Sequence, residues 1–218
     1  MVTMDLPISN VLKRRSEMET AQLEDEIVEI LTNITDKMAL HGGTAIWRCY
    51  NGKRFSTDID VYIWAKDFKD KFISATERIG IDVAKFREKR VTFIHVRKGD
   101  IEINIEPRNV EKSALLMPYE RIDGSKINTL VLSPEDLILE KIDAYRDRRA
   151  YKDLYDITIL LNSVKEPGKI KKALLGFAKD IPTPNENTQS YSEFKAVIYA
   201  GIVPTYQKMV EFIKRWLA

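Results

Sequence analysis

Asp58 and Asp60 flank Ile59 at the head of a β-rich run, Asp-Ile-Asp-Val-Tyr-Ile-Trp over 58–64, that turns apolar after the acids. In an extended chain residues i and i+2 point the same way, about 6.5–7 Å apart at Cα, so the two carboxylates face one side. Hard divalent cations such as Mg2+, or Mn2+ in its place, take oxygen ligands: one or two carboxylates, completed by substrate phosphates and water. Two metals about 3.5–4 Å apart can activate an attacking oxygen and stabilise a leaving one. Arg54 and Ser56 share the parity of the acids if the extended geometry begins early. Arg54 would then hold a phosphate on the same face.

Upstream, Gly42-Gly43-Thr44 opens a helix predicted over 44–51 and closed by Asn51-Gly52. Glycine lets a backbone come close to a phosphate. A helix N-terminus adds unpaired N–H donors and the positive end of a dipole, and Thr44 adds a hydroxyl. Gly42, Gly43 and Thr44 therefore suit the β- and γ-phosphates of a nucleoside triphosphate. Either piece alone is common; a glycine pair and an Asp-x-Asp in this order are far more specific.

A third carboxylate is sought on a neighbouring strand. Residues 100–106, Asp-Ile-Glu-Ile-Asn-Ile-Glu, alternate strictly. Ile101, Ile103 and Ile105 take one face, and Glu102, Asn104 and Glu106 the other. A solvated strand face is the competing account. Glu102 or Glu106 would join Asp58 and Asp60 as a metal ligand, Glu102 being favoured. Further on, the helix predicted over 134–147 carries Leu137, Ile138, Ile142 and Tyr145 on its apolar stripe. Lys141 lies beside that stripe, four residues after Leu137. It either snorkels to the surface or points into a cleft.

Gly42-Gly43-Thr44-Ala45, followed by Arg54-Phe55-Ser56-Thr57-Asp58-Ile59-Asp60, resembles the AbiEii/AbiGii toxin family of nucleotidyltransferases, a branch of the polymerase-beta-like superfamily. That family reads Gly-Gly-Thr-Ala-Leu and later Arg-x-Ser-x-Asp-hydrophobic-Asp. A second signature matches Lys141, Arg148, Lys152-Asp153 and Asp156. Lys152 stands where arginine is usual, which keeps the charge and loses the planar fork. Asn104 stands where the family often carries an acid.

The resemblance implies an α+β fold: a polymerase-beta-like domain with a mixed sheet, followed by an all-helical C-terminal half. It implies Mg2+-dependent transfer of a nucleoside monophosphate from a triphosphate to an acceptor hydroxyl. RNA, such as the 3′ end of a tRNA, would be the acceptor and a cognate antitoxin the partner. Lys141 would contact phosphate or offset charge in the transition state. Asp153 would be a site residue and a base for the attacking hydroxyl. Asp156 would instead pair with Arg148 or Arg149. A surface salt-bridge network is the plainer account of both acids. Two other functions stay open: a binding module that acts through its partner, and transfer onto a small molecule such as an aminoglycoside.

The rest of the chain is consistent with such an enzyme. Its 218 residues allow one or two domains. Thirty-five basic and 33 acidic residues leave +2, which argues against a strongly cationic nucleic-acid coat. The lone cysteine, Cys49, excludes a disulfide framework and suggests a reducing compartment. No apolar window is long enough for a membrane span and no leader is evident, so a cytoplasmic location is expected.

Helices are predicted over 16–39, 44–51, 67–80, 134–147, 151–163, 168–179, 190–200 and 204–217, with Ser16 as cap of the first. Strands are predicted over 38–41, 58–64, 91–97, 101–107 and 127–132. The expected division is an α/β nucleotidyltransferase domain over 1–132 and a helical domain over 133–218 that completes the cleft. His41 adjoins the glycines and either lines the site or takes a hydrogen-bonded structural role, whereas Cys49, Trp47, Trp64 and Trp216 read as packing residues. Lys169, Lys171, Lys172 and Lys179 read as a solvated helix face.

Overall fold

The structure, a computed structural model, describes residues 7–88 and 92–218. The predicted strand over 91–97 thus begins outside the described residues. Contacts divide the chain into two compact units: one holds the residues up to Cys49 and Phe55–Leu132, the other Tyr50–Arg54 and Ser133–Ala218.

The first unit is built on a seven-stranded mixed sheet. Its strands are β1 (Met38–His41), β2 (Asp58–Ile63), β3 (Asp82–Glu88), β4 (Thr92–Lys98), β5 (Ile101–Arg108), β6 (Leu115–Glu120) and β7 (Lys126–Val131). Their order is β3-β4-β5-β2-β1-β7-β6, with β2/β5 and β1/β7 parallel and the other neighbours antiparallel. The alternation read from residues 101–106 is real: Ile103 and Ile105 are buried, whereas Glu102, Asn104 and Glu106 are not. Ile59 pairs in register with Ile105, and both are fully buried. The acids at 58 and 60 therefore leave on the other side of the same pleat.

Three helices accompany the sheet: α1 (Arg15–Ile34), α2 (Gly42–Cys49) and α3 (Phe68–Arg78). Helix α1 buries Leu23, Ile27, Ile30 and Leu31. It begins one residue before Ser16, after Arg14 and with no side-chain cap. It ends at Ile34, because Met38–His41 is needed as the strand that pairs with both β2 and β7. Strands β3 and β6, at the two edges of the sheet, were not anticipated.

The second unit is helical: α4 (Pro134–Arg148), α5 (Tyr151–Leu160), α6 (Pro167–Lys179), α7 (Tyr191–Val197) and α8 (Tyr206–Leu217). Ser133 caps α4 by accepting from the Asp136 N–H at 3.1 Å, with Pro134 as the first helical residue. Both follow from Ser-Pro-Glu-Asp. Residues 50–54 are held inside this unit. The Tyr155 hydroxyl accepts from Lys53 N–H, Tyr199 N–H donates to the Lys53 carbonyl, and Arg54 forms a β-bridge with Ile198.

Candidate active site

Local sequence places the acids of the first unit. Strand β2 starts at Asp58, and its register sets Asp58 beside Asn104 and Asp60 beside Glu106 on β5. Aligned residues on adjacent strands share a face. On the next strand His95 aligns with Asn104, and their side chains meet at 3.0 Å. Glu102 lies two residues before Asn104, ahead of the start of β2. It is aligned with Arg97, and its carboxylate stands 3.3 Å from His95. The favoured third carboxylate is thus not the one in register with the pair; Glu106 is. Sequence alternation gave the correct face but could not supply the parallel offset between two strands. Among the described residues no group of three or more His, Cys, Asp or Glu is arranged to hold a metal. Asp58, exposed, and Asp60, half-exposed, are hard oxygen donors. They fit a cation bound by two carboxylates and completed by substrate and water.

The glycine turn meets these acids directly. Gly42 has φ +68°, and a Cβ on it would fall onto the Asp60 carboxylate, 2.6 Å from its Cγ. Glycine is required here because the Asp60 side chain folds over the first residue of α2. An acid at that place is favoured by the helix dipole. Gly43 has no such backbone requirement, since Gly42 alone of the pair has positive φ. Thr44 does not present its hydroxyl outward. It is 1% exposed, and its Oγ1 donates to the Asp58 carbonyl at 2.7 Å. Its effect is to fix α2 to the strand end that carries the acids. Ser56 is half-buried in the irregular lead-in to β2.

In the helical unit the predicted residues come together as a buried ion network. Both nitrogens on one edge of Arg54 grip Asp156, at 3.1 and 2.9 Å. Lys141 Nζ lies 2.8 Å from Asp156 Oδ2 and 3.2 Å from Asp153 Oδ1. Arg148 binds both oxygens of Asp153 at 2.7 Å. Asp153 and Asp156 are 0% and 1% exposed. Burial works against the Asp156 carboxylate, yet Arg54 and Lys141 outweigh it and hold its pKa below the ordinary value. Burial likewise opposes the charge on Arg54, and Asp156 more than restores it. The left-handed turn at Arg149 (φ +52°) between α4 and α5 brings Arg148 and Asp153 together.

Four expectations change. Arg54 belongs to the helical unit, where it is bound to Asp156. Lys141 neither snorkels nor stands open: it is 7% exposed and paired with two acids. Asp153 does not have the exposure a base requires, since both of its oxygens are taken by cations. Asp156 pairs with Arg54 and Lys141, and the network is buried, not superficial.

A second buried cluster was missed. Arg48 on α2 donates to the carbonyls of Ala21 and Glu120 and lies 3.2 Å from Asp25. Glu24 is fully buried; its nearest cation is Arg48 at 3.6 Å, and neither of its oxygens has a hydrogen bond among the described residues. Burial pushes its pKa up to about 8, with Arg48 pulling the other way. A signal was present: Glu24 precedes Ile27 and Val28 by three and four residues, on the apolar face of α1.

His41 stacks on Tyr62 at 4.2 Å, and Trp47 meets Phe55 edge-on at 5.0 Å. Trp216 donates to the Leu161 carbonyl. Burial raises the Cys49 thiol to about 12. Among the described residues no helix is long and apolar enough to cross a membrane.

Comparison with known proteins now adds to this geometry. The solved structure of MenT4, a nucleotidyltransferase toxin from Mycobacterium tuberculosis H37Rv, superposes with a TM-score of 0.61 at 18% identity. The match covers 98% of this chain and 89% of that one. JHP933 from Helicobacter pylori gives 0.61 at 17% identity, covering 94% and 92%. At such identities the likeness shows the fold. No curated protein matches the chain. Residues 29–198, which include the glycine turn, Asp58, Asp60 and the ion network of the helical unit, match the family described as nucleotidyl transferase AbiEii toxin of type IV toxin–antitoxin systems. With that match spanning most of its length, the chain belongs to the AbiEii family of nucleotidyltransferase toxins.

Proposed function

We propose that the protein transfers a nucleoside monophosphate from a nucleoside triphosphate to an acceptor hydroxyl on RNA, with a tRNA 3′ end as the leading acceptor and Mg2+ as the ion. The observation that carries this reading is the packing of the Asp60 carboxylate over Gly42, which sets carboxylate oxygens against a helix start suited to phosphate. Asp58 and Asp60 would hold the cation, which when bound would polarise the triphosphate and acidify the hydroxyl.

The acceptor oxygen attacks the α-phosphorus, the bond from that phosphorus to the bridging oxygen breaks, and pyrophosphate leaves. The hydroxyl proton passes to Glu106, the carboxylate in register with Asp60. Thr44 keeps Asp58 in place through its carbonyl. In the helical unit Asp153 and Asp156 hold Lys141, Arg54 and Arg148 in fixed positions, and these cations would complement phosphate. A cognate antitoxin as partner and a cytoplasmic location follow from the type of family and belong to the same proposal.

Purified protein, each labelled triphosphate and total RNA provide the test. Asp58→Asn combined with Asp60→Asn abolishes labelling of RNA while the thermal melt stays cooperative. Undiminished labelling by that variant rejects the mechanism. Label that enters only small hydroxylated compounds, and never RNA, rejects the acceptor.

A further inference from the structure

The ion network leaves one cation over. Lys152, in the first turn of α5, has its backbone N–H bound by the Gln189 side chain at 2.9 Å, and its ammonium has no ion-pair partner among the described residues. It lines a cavity of about 310 Å3 together with Arg148, Ala150, Thr188, Gln189, Glu193 and Val197, all in the helical unit. That volume lies at the small end of ligand pockets, about 300–1,000 Å3.

The charges around Lys152 are mostly its own sign. After burial, the causes that depress its pKa are Arg148, Arg54 and Lys141, with Asp153 the acid opposing them. Asp153 is already bound by Arg148 and Lys141. Glu193, the acid on the wall, accepts from the Ser190 N–H and hydroxyl in a capping box at the start of α7. A half-buried ammonium crowded by cations, with the nearby acids engaged elsewhere, gains from the arrival of an anion. Arg148, with a side chain 42% exposed, stands on the same wall, and Thr188 and Gln189 add polar groups.

We propose that this cavity is a phosphate subsite in which Lys152 is the contacting cation and Arg148 its neighbour, while Lys141 is confined to the network behind them. The phosphate belongs either to the polyphosphate tail of the donor or to the backbone of an acceptor strand. The inference deepens the transferase reading, but it is read by binding and not by turnover, so either can fail alone.

Calorimetry on the full chain without divalent ions uses two probes, sodium tripolyphosphate and a short single-stranded oligoribonucleotide. Lys152→Ala is expected to weaken at least one of them tenfold or more, and Lys152→Arg to retain it. Loss of tripolyphosphate affinity assigns the cavity to the donor; loss confined to the oligoribonucleotide assigns it to the acceptor. Wild-type affinity for both probes in Lys152→Ala, or no binding of either by the wild type, overturns the proposal. A second reading is independent of the variant's folding: in the wild type, the pKa of the Lys152 ammonium followed by NMR rises when the bound probe is added. An unmoved pKa overturns the subsite equally.

Discussion

Asp58 and Asp60 on β2 and Asp153 and Asp156 on α5 are two pairs of the same residue type in opposite states. The strand pair is exposed or half-exposed and faces Asn104 and Glu106, with the nearest helix start at Gly42. The helix pair is fully buried and saturated by Arg54, Lys141 and Arg148. A carboxylate open to solvent can take a cation from it. A carboxylate already enclosed by cations can only position them. The difference is one of environment, since the spacing, two residues in a strand and three in a helix, puts each pair within reach of a shared partner.

The contrast can be broken most sharply by removing one acid from each pair. Asp156→Ala takes a buried acid away from Arg54 and Lys141, and losing one partner of a buried pair costs about 3–5 kcal/mol. Asp60→Ala removes a half-exposed acid and should change stability by less than about 1 kcal/mol while ending transfer. Urea unfolding of the two variants decides. Equal losses would mean that the β2 acids are as enclosed as the α5 acids. The pH dependence of Asp156 has a definite sign. Its folded pKa is lowered, so its stabilisation is present above the unfolded value near 3.8 and is lost as pH falls below it.

Glu24 sharpens the comparison as a third kind of acid, buried yet poorly paired. Its folded pKa of about 8 lies above the ordinary 4.5, so the folded state keeps a proton that the unfolded chain releases. Its contribution is full below pH 4.5 and drains away as pH rises to about 8, at roughly 1.4 kcal/mol per pH unit over that window. Glu24→Gln should flatten this decline, leaving the variant more stable than wild type by a few kcal/mol at pH 8.5 in chemical unfolding. A wild-type slope that persists in the variant would place the titration elsewhere.

The smallest change in atoms, a single added methyl, is Gly42→Ala. The positive φ alone costs about 1–2 kcal/mol, and the added methyl must displace the Asp60 carboxylate. Transfer should fall far more than the melting temperature does. Full activity in this variant would show that the position of Asp60 over α2 is incidental.

Much of the geometry of the candidate site was legible because its signals are local. The strand parity of 58 and 60, the glycine before α2 and the Ser-Pro-Glu-Asp start of α4 each act within a few residues. Strands β3 and β6 were not legible for a matching reason. As edge strands they face solvent, so Asp82-Val-Ala-Lys-Phe-Arg-Glu lacks a clean apolar alternation, and Pro118 within β6 is tolerated because it lies at an edge. The Arg54–Asp156 pair joins residues 102 apart. No periodicity carries that distance. Lys141 stands out in sequence beside the apolar stripe of α4, but its partners come from a helix whose orientation only packing decides.

Residues 50–54 lie between the glycine turn and the acids in sequence, yet they are part of the helical body. Modularity is lost by that arrangement. A fragment starting at Ser133 would lack Arg54, which supplies both the guanidinium bound to Asp156 and the β-bridge to Ile198. A graft of the helical half from one family member onto another would have to carry this five-residue piece of the other half with it. Exchange between relatives is therefore constrained to whole chains, or to crossovers that preserve both sides of the Arg54–Asp156 contact.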